Sequence, residues 1–203
     1  MKSDGKRARK LLLTVLVVGV VSTVVGIGTF SAFSSTTSND NNSFAAGTVY
    51  ISDNDANAAM YSVADRKPND SVQKCIAVTY GGSLPADVHL YWTPSGSDTL
   101  SQYITLQVDK VTFSGGTPTF PSCTGTGISI ASSSNLFNAN MNTFGTNYAG
   151  GVSAYPGSQT QWNNGDTLYY RFTLTLQDTN SANGGQTAKT TGAHSFTWEA
   201  HQQ

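Results

Sequence analysis

Thr167-Leu168-Tyr169-Tyr170-Arg171-Phe172-Thr173-Leu174-Thr175-Leu176-Gln177 is the stretch on which the fold of this 203-residue chain turns. Leu168, Tyr170, Phe172, Leu174 and Leu176 fall on one face of an extended chain, and Tyr169, Arg171, Thr173, Thr175 and Gln177 on the other. Successive side chains of a strand point to opposite faces, so period two held over this length predicts a half-buried β-strand. The same period recurs at Ile76, Val78 and Tyr80, at Val88, Leu90 and Trp92, at Ile104, Leu106 and Val108, and at His194, Phe196 and Trp198. Ala46–Ile51 reads as the first strand of the body. At Lys110 the alternation slips by one and Val111 and Phe113 take the inward phase, as an inserted bulge residue would produce. Lys67-Pro68-Asn69-Asp70, Gly81-Gly82-Ser83, Pro94-Ser95-Gly96, Gly115-Gly116, Asn163-Asn164-Gly165-Asp166 and Asn183-Gly184-Gly185 supply turns between the runs.

One segment departs from period two. Phe137, Met141, Phe144 and Tyr148 recur at spacings of four, three and four, which predicts a short helix around 136–149, capped by Ser134 or Asn135 and ended by Gly150-Gly151. The expected class is therefore all-β: an antiparallel β-sandwich of jelly-roll type with one short helical excursion.

The formal charge of -1 hides two segments of opposite sign. Residues 1–31 hold Lys2, Lys6, Arg7, Arg9 and Lys10 against Asp4 alone; the other 172 residues carry six basic and eleven acidic side chains, a net charge of -5. So acidic a body argues against a nucleic-acid partner, since nothing neutralises phosphates. Five basic residues, the apolar run Leu11–Gly28 and the small residues around Thr29-Phe30-Ser31 read as a secretory signal peptide cleaved between Ser31 and Ala32. The membrane is then met only transiently, through that signal. At 18 residues the run also reaches the lower limit of a membrane span, so a retained anchor is the alternative. The expected organisation is a signal at 1–31, a polar N-terminal segment at 32–43 and a β-sandwich at 44–203. Export to an oxidising compartment predicts a Cys75–Cys123 disulfide.

The residues that carry chemistry are few. No Gly-rich phosphate loop, HExxH or Gly-x-Ser-x-Gly occurs, so the expectation is no catalytic residue, no cofactor and no metal. His194, Glu199 and His201 form the one local cluster with metal-ligand chemistry, but an extended strand points His194 away from the other two. Asp53 and Asp55, with Asn54 and Asn57, are weak calcium candidates that read equally as a turn. Trp92, Trp162 and Trp198 suggest a sugar platform, although alternation puts Trp92 and Trp198 in the core.

Gly26-Ile27-Gly28-Thr29-Phe30-Ser31-Ala32-Phe33 followed by Asn42-Ser43-Phe44-Ala45-Ala46-Gly47-Thr48-Val49 resembles the start of the TasA/camelysin family of secreted biofilm-fibre proteins. Arg66-Lys67-Pro68-Asn69-Asp70 is similar to a Lys-Pro-Gly-Asp-like turn of that family, with Asn in place of Gly. Tyr80-Gly81-Gly82-Ser83-Leu84, Asn164-Gly165-Asp166 and the closing Ser195-Phe196-Thr197-Trp198-Glu199-Ala200 resemble its later turns and last strand. The resemblance implies processing by a SipW-like signal peptidase, a location in the extracellular matrix or on the cell surface, and a structural role as the subunit of a biofilm-matrix or pilus-like fibre. The subunit's partner would be itself, in a head-to-tail homopolymer in which the mature N-terminal segment of one copy completes the sheet of the next. Carried onto this sequence, the donor is Ala32–Ser43, with Ala32 as the freed terminus, Phe33 as its large apolar side chain, Ser35 and Thr37 along it, and Phe44 where it joins the body. The wholly polar Ser34–Ser43 reads equally as a linker. Two other functions stay open: a camelysin-like metal-dependent surface endopeptidase, also implied by the family, and a monomeric surface adhesin on the same sandwich.

Overall fold

Alternation of apolar and polar residues makes strands here because each strand can bury one face and wet the other. The protein is described by a computed structural model covering residues 46–179 and 189–202, all within the unit Ala46–Gln203. Eight strands occur among the described residues: β1 Ile51–Asp53, β2 Ser71–Tyr80, β3 Ala86–Ser95, β4 Ile104–Ser114, β5 Ser129–Asn140, β6 Val152–Ser153, β7 Thr167–Leu176 and β8 Ala193–Gln202. They form a five-stranded sheet in the order β1-β2-β7-β4-β5 and a three-stranded sheet in the order β6-β3-β8. Every pairing is antiparallel. The smaller sheet lies over the larger with β8 near β1 and β6 near β5. The expected antiparallel sandwich is the fold.

The core lies between the sheets. Ile76, Val78, Tyr80, Leu106, Val108, Tyr170 and Phe172 of the larger sheet meet Val88, Leu90 and Trp92 of the smaller, all buried. Phe172 and Phe196 join the sheets with ring centroids 4.5 Å apart. Each such side chain stabilises the fold by roughly 1.5–3 kcal/mol on burial. Trp162 is fully buried and donates its indole N–H to Ala154 O at 2.7 Å. With Trp92 also buried and Trp198 packed against the core, the tryptophans hold the sandwich together and offer no sugar platform.

Turn chemistry follows the sequence. Asp70 N–H donates to Lys67 O at 3.0 Å, and Asn69 takes φ 68°, the left-handed conformation that Gly adopts freely. Gly165, at φ 86°, closes the turn into β7 while its N–H donates to Tyr80 O at 2.8 Å.

Three expectations are corrected. The helix around 136–149 does not form: its first residues complete β5, and two single 3-10 turns follow at Met141–Thr143 and Tyr148–Gly150. Pairing with β4 satisfies the backbone of this stretch, and Asn138, Asn140, Asn142 and Asn147 are poor helix formers. Met141 and Phe144 still reach the core, whereas Tyr148 faces outward. The first strand begins at Ile51 rather than Ala46; Thr48 and Tyr50 instead accept hydrogen bonds from Ser83 and Gly81 in the turn after β2.

The slip at Lys110 is no bulge in β4, which keeps unbroken register with β7 from Ile104 to Val111. The register shifts fall against β5, where Leu136 and Ala131 are the unpaired residues. Val111 and Phe113 lie on the outer face of the larger sheet, where they cover a second apolar cluster with Ile130, Tyr169, Cys75 and Cys123. Cys75 and Cys123 are joined, as expected, with Cα atoms 5.0 Å apart. The bridge fastens the loop after β4 across this outer face, and Cys75 N–H donates to Pro121 O at 3.0 Å.

Candidate functional site

β8 pairs with β3 over its whole length, from Ala193↔Ser95 to Gln202↔Ala86, while no described strand pairs with its other edge. Beside that edge runs the segment 58–66, which belongs to no strand, yet Met60 and Tyr61 from it pack against the core. Tyr61 is held by one side-chain contact to the strand: its hydroxyl lies 2.5 Å from His194 Nε2. His194 Nδ1 lies 3.1 Å from Gly192 O, which can only accept, so Nδ1 carries the proton and Nε2 accepts from the Tyr61 hydroxyl. Burial raises the Tyr61 pKa and keeps it a neutral donor.

Tyr61 and His194 stand between two cavities and line both. One, of about 600 Å³, is lined by Val72, Ile104, Leu174 and Leu176 at the end of the sandwich together with Arg66, Lys67, Lys189, Asp65 and Asp70. The other, of about 720 Å³, runs along 190–196 and is lined by Ile76, Phe196 and Trp198. Together they form a seam that reaches apolar residues of both sheets next to a strand edge that no described strand pairs. What such a seam offers chemically is a row of backbone N–H and C=O groups and an apolar slot, the requirements for receiving an extended segment.

The other sequence-derived candidates are distributed elsewhere. Asp53 Oδ1 accepts from Asp55 N–H at 3.0 Å and Asp55 Oδ1 from Asn57 N–H at 2.6 Å, while Ala56 and Asn57 take positive φ. These carboxylates thus serve a tight turn, and burial raises the Asp53 pKa. His194 turns inward beside Trp92 and Phe196, whereas Glu199 and His201 pair at 2.6 Å on the outer face, as the strand phase predicts. The His201 contact and the Tyr91 hydroxyl, 2.9 Å from Oε2, hold the Glu199 carboxyl below its ordinary pKa. Among the described residues no group of three or more His, Cys, Asp or Glu side chains is arranged to hold a metal ion. Within β8, His194 on one face and the Glu199–His201 pair on the other do not converge on a single ion.

Ser31, Ala32, Phe33, Ser35, Thr37 and Phe44 lie outside the described residues, as does the apolar run Leu11–Gly28. Among the described residues no helix is long and apolar enough to cross a membrane. Sequence reasoning missed the role of Tyr61, whose segment shows no periodicity, and the outward stack of Tyr148 between His89 and His201, with ring centroids 4.2 Å and 3.8 Å away.

Residues 7–94 match the family model described as camelysin metallo-endopeptidase. That span takes in the glycine-rich N-terminal motif, the Lys67–Asp70 turn, β1, β2 and all of β3 but Ser95, while Asn164-Gly165-Asp166 and Ser195–Ala200 lie beyond it. Among curated proteins no sequence matches.

Proposed function

Taking the chain as a TasA/camelysin-family protein over residues 7–94, we propose that it is the structural subunit of an extracellular protein fibre that grows head to tail. The observation that carries this reading is the unpaired edge of β8. The smaller sheet has three strands in the order β6-β3-β8, no described strand pairs with the outer side of β8, and Phe196 and Trp198 line the cavity beside it. A fourth strand supplied by the next copy fills that place. It satisfies the β8 backbone and covers the seam, and because donor and acceptor are different surfaces the contact repeats without closing.

The donor in this reading is Ala32–Ser43, freed when a signal peptidase of the SipW type cuts after Ser31 outside the membrane. Phe33 supplies the apolar anchor, and backbone pairing by the polar Ser34–Ser43, including Ser35 and Thr37, supplies most of the remaining contact. Phe44 marks the junction with the body. Secretion to the matrix or cell surface follows from the same reading. The family description favours a second one, a metal-dependent endopeptidase, but His194 faces the core while Glu199 and His201 face outward, so no step through a metal can be derived from them.

Electron microscopy of the purified mature protein, with and without residues 32–43, tests the proposal. Fibres from the complete form and folded monomers from the truncated form are the expected result. Monodisperse monomers from the complete form at high concentration, or casein cleavage by pure protein that a His194 or His201 substitution abolishes, would overturn it.

A further inference from the structure

Residues 111–165, which contain β5, both 3-10 turns after it and β6, include no Asp, Glu, Lys, Arg or His. Every charge of the body lies elsewhere in the sequence, and the charged side chains of β4 that reach this flank are partnered, Asp109 by Arg171 at 2.7 Å and Lys110 Nζ by Tyr155 O at 2.9 Å, so the β5 strand itself presents no charge. Along this flank runs β5, twelve residues at the edge of the larger sheet with the sequence SIASSSNLFNAN and no proline. Residues 131–135 are all exposed, and among the described residues β4 is the one strand that pairs with β5, while Phe137 O and Asn140 O also accept from Asn135 Nδ2 at 3.1 Å and Thr143 Oγ1 at 2.7 Å.

The opposite edge of the same sheet is short and irregular, ending on the three-residue β1. β1 covers β2 at Val78–Tyr80, Asn54 continues the cover by exchanging bonds of 3.2 Å and 2.9 Å with Ala77, and Pro121 O takes the Cys75 N–H at 3.0 Å. Edge strands are ordinarily guarded by charge, proline, shortness or bulges. β5 has only bulges, at Ala131 and Leu136, and they leave regular stretches at 132–135 and 137–140.

We infer that β5 is a self-pairing edge, at which two copies of this chain join side by side, β5 against β5, antiparallel across a two-fold axis. A second copy is the occupant that the charge distribution selects. A body of net charge -5 repels its own kind, and the uncharged β5 strand is where that repulsion is weakest. The short Ser, Ala and Asn side chains let two edges approach to the 4.7–4.9 Å spacing of paired strands and hydrogen-bond across the join. The contact is isologous and closes at two copies, unlike an end-to-end contact, so in a fibre it ties neighbouring filaments laterally.

Sedimentation velocity of the mature protein over a concentration series, with microscopy of any fibres, tests this. The wild type is expected to dimerise, or to form laterally paired fibres. Ser133, exposed near the middle of β5, is the probe: S133K and S133E each set like charges across the axis and weaken side-by-side association about tenfold. An equimolar mixture of the two regains it, a recovery that misfolded variants could not produce. Wild type that stays monomeric at millimolar concentration with unpaired fibres, variants that associate as tightly as wild type, or a glycan found on Ser132–Ser134 by mass spectrometry would overturn the inference. Failure of head-to-tail growth leaves the dimer measurement intact, so the two proposals are judged apart.

Discussion

Asp109, with 2 % of its side chain exposed, accepts two hydrogen bonds on one oxygen from Arg171 of the neighbouring strand, 2.7 Å from Nη2 and 3.1 Å from Nε. Gln107 and Asn135 complete the carboxylate's shell at 3.0–3.1 Å. Burial on its own would raise the pKa of Asp109; the bonds from Gln107, Arg171 and Asn135 and the Arg171 charge outweigh it and hold the carboxyl below its ordinary value. The group therefore ties β4, β5 and β7 together on the outer face of the sheet.

D109A should destabilise the protein by about 3 kcal/mol, because it leaves a largely buried guanidinium and two amides without their acceptor. Chemical denaturation at neutral pH measures this. A loss under 1 kcal/mol would mean that water replaces the carboxylate at no cost.

The pH dependence has a definite sign. A carboxyl whose folded pKa is depressed contributes stability above its unfolded pKa, near 4, and loses it as pH falls through the folded value. D109N, which cannot ionise, should therefore show a shallower loss of stability below pH 4 than the wild type. Parallel acid unfolding curves for the two proteins would refute the assignment.

The bridge between Cys75 and Cys123, 48 residues apart, closes a long loop and holds the outer apolar cluster in place. The C75S/C123S double variant should lose about 2–4 kcal/mol, and the midpoint of thermal unfolding should fall by about 10 °C. Calorimetry with and without reductant checks both, since reductant should bring the wild type to the variant's midpoint.

Gly145 sits where the expected helix gives way to turns. A Cβ there would lie 1.8 Å from Gly150 O, and Gly145 O receives the Trp92 N–H at 2.8 Å. G145A should cost about 2 kcal/mol or more by forcing two backbone segments apart. A helix over 136–149 would instead be strengthened by Ala, so the sign of the change separates the two structures.

Fibres built by the proposed strand pairing should keep their integrity as salt is raised. Six basic against eleven acidic side chains leave few pairs for intersubunit salt bridges, and backbone pairing and apolar burial are not screened at a Debye length of about 8–10 Å. Turbidity and microscopy across a salt series measure it; fibres that dissolve in moderate salt would contradict a strand-paired contact.

The sequence by itself determined the class of fold, because alternation and turn chemistry are local. Leu168 to Leu176 had one buried face whichever strand lay beside them, and Pro68-Asn69 turned wherever the chain went next. With two cysteines in the sequence, the expectation of an oxidising compartment was enough to pair them. Tertiary structure decided what depends on distant neighbours. Val111 and Phe113 kept the phase of their strand and found a second apolar cluster, because a loop bridged to Cys75 had covered the outer face. Phe137 to Tyr148 had helical spacing, but β4 offered backbone partners to 137–140 that a helix of asparagines could not match. The open edge of β8, the Tyr61–His194 contact beside it and the neutral edge of β5 are invisible to periodicity. An edge is defined by the strand that is missing, and that is a property of the assembled sheets.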